Sequence, residues 1–206
     1  NRIFADLHPL AASSPDHQLA RLGFYAGYSG VARDGAPVFV DRLGKCDLAG
    51  IGSDPAVLDV MIAAYIQHLE TIFRLTRALS AAKGELVKAY MVIDAAGVSL
   101  STLRHISVVK LIAKIGPAHF PETTRRVMIV NAPSVLTVIW SAISPLLPAH
   151  TRAKVHILGK DSGPAVDEHI DASQLPPFLG GTGDGSGIPA AGKVPAKTTE
   201  ATLNRG

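Results

Sequence analysis

Residues 127–149, VMIVNAPSVLTVIWSAISPLLPA, are a run of 23 without a single charge. By length alone the run matches a bilayer span, which needs about 20 apolar residues. Pro133, Pro145 and Pro148 interrupt it and Asn131 adds a polar amide, so one continuous helix is excluded. The pattern predicts a strand over 127–130, a turn at 131–133 and an apolar helix over 134–147. A helix apolar on every side must be buried, sit in lipid, or face an apolar molecule that is not protein.

Composition leaves these options open. The 206 residues are 47% hydrophobic and 18% charged, with a mean hydropathy of +0.24. Such a chain can fill a core and still leave apolar side chains for a pocket or partner surface. The net charge is +3 and the pI about 9.1. That favours anionic surfaces but lacks the dense Lys/Arg stripes of a nucleic-acid binder, so no nucleic-acid partner is expected. Cys46 is the single cysteine. It permits no internal disulfide, in keeping with a reducing, cytoplasmic setting.

Turn residues and periodicity divide the chain. Residues 1–30 read as irregular, with a short helix after Ser14-Pro15. A turn at Arg33-Asp34-Gly35 precedes a strand over 37–43. Gly50 and Gly52 punctuate. Ser53 or Asp54 then caps a long helix to about Ala82, ended by Gly84. A strand over 86–94 follows. Ser101 or Thr102 caps a helix to Ile115, stopped by Gly116-Pro117. After the uncharged run come a strand over 154–158 and a short helix near 164–170. Alternating strands and helices predict an α/β domain with a mostly parallel sheet. Residues 182–206, rich in Gly, Pro, Ala and Thr, are expected to be a flexible tail.

Signatures of catalysis are missing. There is no G-x-S-x-G, H-E-x-x-H or Walker loop, and Gly159-Lys160-Asp161-Ser162 lacks the upstream glycine. The eight histidines show no metal-ligand spacing, the nearest pair being His150 and His156. No enzyme, metal site or cofactor is expected from these residues.

Seven short segments, in order, carry a family likeness. They are Asp34-Gly35-Ala36-Pro37-Val38, Leu43-Gly44-Lys45-Cys46-Asp47-Leu48, Ile93-Asp94-Ala95-Ala96-Gly97-Val98-Ser99, Phe120-Pro121-Glu122, Ile129-Val130-Asn131-Ala132-Pro133, Thr151-Arg152-Ala153-Lys154-Val155 and Leu175-Pro176-Pro177-Phe178-Leu179-Gly180-Gly181. Over about residues 27–181 the chain resembles the CRAL-TRIO lipid-binding domain, the module of the yeast phosphatidylinositol/phosphatidylcholine transfer protein and its relatives. The resemblance implies a domain at 31–181 whose sheet floors a hydrophobic pocket walled by helices. That pocket would sequester one lipid without catalysis.

The same resemblance assigns roles to residues. In phosphoinositide-binding members a Pro-Glu element and a Thr-x-x-Lys element hold the headgroup, which here implies Glu122, Thr151 and Lys154. The helix after Asn-Ala-Pro acts in the family as a mobile gate. Its counterparts are Val135, Leu136, Val138, Ile139, Trp140, Ile143, Leu146 and Leu147. Ala89, Met91 and Ile93 would form the pocket floor. Phosphatidylcholine-binding members place Ser and Thr where Ala89 and Met91 stand, so the likeness points to a phosphoinositide-type lipid. Ala36 replaces the family's usual Arg, and residues 1–30 offer no counterpart to its N-terminal helical lobe. Burial of acyl chains makes physical sense of a pocket. Roughly 30 methylenes at about 0.8 kcal/mol each put some 25 kcal/mol at stake when a two-chain lipid leaves a bilayer.

The expected partners are one lipid and, transiently, a membrane surface. Two other readings fit the residues. The fold could serve as a structural subunit of a larger assembly without transfer, or carry an uncharged ligand of retinoid or tocopherol type beside Ala89 and Met91.

Overall fold

The computed structural model describes residues 22–188. The helix expected after Ser14-Pro15 lies outside the described residues, as does the tail from 189. Five strands form one sheet in sequential order: β1 (Ala26–Val31), β2 (Pro37–Asp41), β3 (Ala89–Asp94), β4 (Thr124–Val130) and β5 (Val155–Ile157). The β1–β2 hairpin is antiparallel and the other pairings are parallel. The expected mostly parallel α/β sheet is present. β2 is buried throughout, and β3 along all but Ile93, as strands covered on both faces must be.

The helices are α1 (Leu48–Ser53), α2 (Pro55–Lys83), α3 (Ile106–His119), α4 (Leu136–Ile143), α5 (Ala149–Arg152) and α6 (Gly163–Asp167). α2 is long and apolar enough to cross a membrane by length and composition. Here it lays one face on the core, with Met61, Ile72 and Leu79 almost fully buried. Its ends follow from local chemistry. The Asp54 carboxylate accepts from Ala56 N at 2.8 Å, Pro55 opens the helix, and Gly84 closes it at φ 70°.

Cover on the two sheet faces differs. On the front, α2, α3 and α4 stand over Phe39, Met91, Ile93, Val127 and Ile129 and leave a cavity. On the back, α6 and the chain beyond it pack down through Val166, Ile170 and Leu175, each under 7% exposed.

Several boundaries differ from the sequence reading. Residues 26–30 are strand, not irregular. Gly27 and Gly30 serve contact: a Cβ at Gly27 would sit 1.9 Å from the Gly187 carbonyl oxygen, and one at Gly30 would sit 2.5 Å from Gln174 Oε1. Gly50 and Gly52 lie inside α1, capped by Asp47, which accepts from Gly50 N at 3.0 Å. Ser99, not Ser101 or Thr102, caps a 3-10 turn over Leu100–His105 that leads into α3. α3 then runs through Gly116-Pro117 to His119.

The first residues of the expected tail are folded. Thr182 N donates to Ala172 O, Gly183 N donates to Leu175 O, and Ile188 is buried, so residues 182–188 belong to the folded domain.

Candidate functional site: an apolar cavity with a charged mouth

The cavity in front of the sheet encloses about 240 Å³. Its floor is Met91 and Ile93 of β3 with Val127 and Ile129 of β4, and α2 adds Tyr65, Leu69 and Ile72. Parallel pairing dictates this floor. Met91 lies beside Val127 and Ile93 beside Ile129, so alternate side chains of both strands point the same way. Ala89, expected in the floor, is buried but does not reach the cavity.

The apolar segment after Pro133 supplies one wall. Leu136, Ile139, Trp140, Ile143 and Leu147 line the cavity. Val135, Val138 and Leu146 do not, and Val138 is 51% exposed and Leu146 37%. The expected single helix over 134–147 is divided, with α4 ending at Ile143 and a 3-10 turn at Ser144–Leu146. Pro145 has no N–H with which to continue the ladder. Nor is α4 apolar on every side. Thr137 and Ser141 face outward, their hydroxyls returned to Ser134 O and Val138 O, both at 2.8 Å.

Both feet of the wall are tied. At its start Asn131, in the left-handed region at φ 53°, donates from Nδ2 to Asp94 Oδ1 at 2.9 Å. Ala132 N donates to Leu158 O. At its end the Arg152 guanidinium donates to Leu147 O at 2.7 Å and Ser144 O at 3.3 Å.

Polar groups gather at one end of the cavity. Glu122, Thr151 and Lys154, named by the family likeness, all line it, with Thr123, Thr124 and His150. Lys154 Nζ lies 3.6 Å from Glu122 Oε2. Lys88 donates to that same oxygen, so two ammonium groups converge on one carboxylate. The Lys88 hydrogen bond, then the charge of Lys154, hold the Glu122 carboxyl below the usual carboxylate range. Glu122 sits at φ 60°. Left-handed backbone at a non-glycine residue costs roughly 1–2 kcal/mol and concentrates at ligand sites.

Lys88 escaped the sequence reading. It lies one residue before β3 and outside every motif, and only the fold brings it to Glu122. Away from that end the cavity also meets the carboxylate of Asp41, 7% exposed, at the C-terminal end of β2. Among the described residues no group of three or more His, Cys, Asp or Glu is arranged to hold a metal.

A mostly parallel sheet flooring an apolar cavity with a charged mouth defines an α/β ligand-cavity domain. The chain belongs to the CRAL/TRIO domain family, whose model matches residues 23–181. Among curated relatives, the phosphatidylinositol/phosphatidylcholine transfer protein SFH9 of Arabidopsis thaliana is 33% identical over 159 residues, covering 75% of this chain and 27% of its own. SFH4 of the same organism, named likewise, is 30% identical over 181 residues, covering 84% of this chain and 30% of its own. The chain thus spans less than a third of these relatives. Among solved structures, Sfh5 aligns with a TM-score of 0.44 at 20% identity over 78% of this chain and 55% of its own.

Proposed function

We propose that this domain binds a single phosphoinositide-type lipid, acyl chains in the front cavity and headgroup at the mouth, and exchanges it at membrane surfaces without catalysis. One observation carries this reading: an apolar cavity opens beside the Lys88–Glu122–Lys154 cluster and Thr151. The lysines suit a phosphate and the Thr151 hydroxyl can donate to it, while the Glu122 carboxylate accepts from inositol hydroxyls. Leu136, Ile139, Trp140, Ile143 and Leu147, with Met91 and Ile93, meet the chains.

Leu136, Ile139, Trp140 and Ile143 close over the cavity, so acyl chains enter and leave by outward movement of the wall at 134–147. Outward movement carries Val138 and Leu146, already exposed, toward the bilayer. The net charge of +3 assists docking on anionic leaflets, so membrane contact is peripheral and transient.

Native mass spectrometry of the purified chain, with analysis of the extracted ligand, tests the reading. A co-purifying inositol phospholipid, reduced in K154A of equal stability, supports it. An uncharged isoprenoid or sterol overturns the headgroup assignment. A chain that is empty and takes up no lipid from vesicles points instead to a structural subunit that keeps the fold without transfer.

A further inference from the structure

A cluster of one arginine and two histidines lies on the other face of the sheet. Arg126 is adjacent in register to Tyr90, and Met128, two residues along, pairs with His156. Arg126, Met128, Tyr90 and His156 therefore share the back face, opposite Met91, Val127 and Ile129. His156 is one strand over (about 4.8 Å) and two residues along (about 6.6 Å) from Arg126, within reach of a guanidinium. His169, just past α6, lies against Tyr90, ring centroids 5.7 Å apart. Arg126, His156 and His169 are each half-buried.

The nearby carboxylates already have partners other than Arg126. Asp34 pairs with Arg125 at 3.0 Å and accepts from the Tyr90 hydroxyl at 3.2 Å. Asp167 and Asp171 hold Arg33 at 2.6 and 3.3 Å. Among the described residues no carboxylate lies within ion-pair distance of Arg126 and no side-chain hydrogen bond reaches it. Burial, then the charges of Arg126 and His169, hold the His156 imidazole below its usual range. Arg126 is thus a half-buried guanidinium with no carboxylate bonded to it, in a cluster with Tyr90 and two imidazoles that can each present an N–H. Arginine's fork and imidazole N–H groups suit the tetrahedral oxygens of phosphate.

We propose that Arg126, His156 and His169 form a phosphate-binding site on the back of the sheet, separate from the lipid cavity. The ligand is a phosphate group, either free or on a lipid headgroup. Because the sheet lies between, its occupancy is independent of Glu122, Thr151 and Lys154.

The test is a titration of the whole chain with inorganic phosphate at constant, slightly acidic pH, followed through the imidazole resonances of His156 and His169. Both should move together and saturate. R126Q should weaken the response by about tenfold or more, R126K should restore part of it, and K154A should leave it unchanged. Sedimentation with vesicles of phosphatidic acid in phosphatidylcholine, against phosphatidylcholine alone, separates the sources. Binding to the acidic vesicles that depends on Arg126 identifies a headgroup, and a saturable response to inorganic phosphate alone identifies the free anion. Should R126Q not fold, the H156Q/H169Q pair must weaken the phosphate response of the Arg126 Nε–H signal to the same degree. A parent chain with no saturable shift, or a shift that survives in folded R126Q, overturns the proposal.

Discussion

Asn131 Nδ2 donates to Asp94 Oδ1 across 2.9 Å, and with the Ala95 N to Val130 O bond it joins the ends of β3 and β4 where the apolar wall begins. The same carboxylate oxygen accepts from Ala96 N at 3.0 Å, and Asp94 is only 3% exposed. Asn131 meets two demands, an amide that can donate and a backbone at φ 53°. Asn131→Ala should lose a hydrogen bond to a charged group, about 1.5–3 kcal/mol, and add backbone strain of roughly 1 kcal/mol. Asn131→Gly should lose only the bond. Urea unfolding of the two variants should separate them by about 1 kcal/mol, the glycine form being the more stable.

The charged mouth makes a prediction in pH. Glu122 titrates below the ordinary carboxylate value, chiefly through its bond to Lys88. A depressed folded value means that the ion-pair contribution is present above the unfolded carboxylate pKa. It is lost as pH falls through the folded one. Carboxyl-carbon resonances should therefore show Glu122 titrating at lower pH than a free glutamate. In Lys88→Met the midpoint should climb back toward the ordinary value, and an unmoved midpoint would remove Lys88 from the cluster.

Two neighbours on α4 should behave in opposite ways. Ile139 is 1% exposed and lines the cavity, while Val138 is 51% exposed. Ile139→Asp buries a carboxylate among apolar groups and should abolish folding or cost several kcal/mol. Val138→Asp should leave the melting temperature within a few degrees and lower binding to anionic vesicles. Circular dichroism melts with vesicle sedimentation check both.

Filling the cavity should separate storage from stability. Ala113 of α3 lines it. Ala113→Phe places a ring where a ligand would lie, so lipid occupancy by native mass spectrometry should fall severalfold. Stability should change by less than about 3 kcal/mol, the usual cost of overpacking. Undiminished loading would place the acyl chains elsewhere.

Elements whose signals are local were legible in the residues. Asp54, Pro55 and Gly84 mark both ends of α2, and the valine-rich strands and their alternation with helices gave the sheet. What depended on distant contacts was not. Gly27 and Gly30 read as loop because nothing in the sequence tells of Gly187 and Gln174 pressing on them. Gly116-Pro117 read as a stop, yet both residues face the cavity and α3 holds through them. The headgroup candidates Glu122, Thr151 and Lys154 came from family likeness, since residues so far apart show no pattern of their own. Lys88 had neither likeness nor periodicity to mark it. Pro145 is a plain break signal, yet the pattern predicts one helix running through it to Leu147, and the outward turn of Thr137 and Ser141 is set by packing.

The bonds of Asn131 and Arg152 moor residues 134–147 at either side. A flap swinging free from a single hinge would have to break one of those moorings. A span fastened at both banks can instead bow outward at mid-length, near Trp140, and spring back. If the domain exchanges lipid as proposed, the chain's lone tryptophan rides where displacement is greatest, and its fluorescence would report cargo entering and leaving.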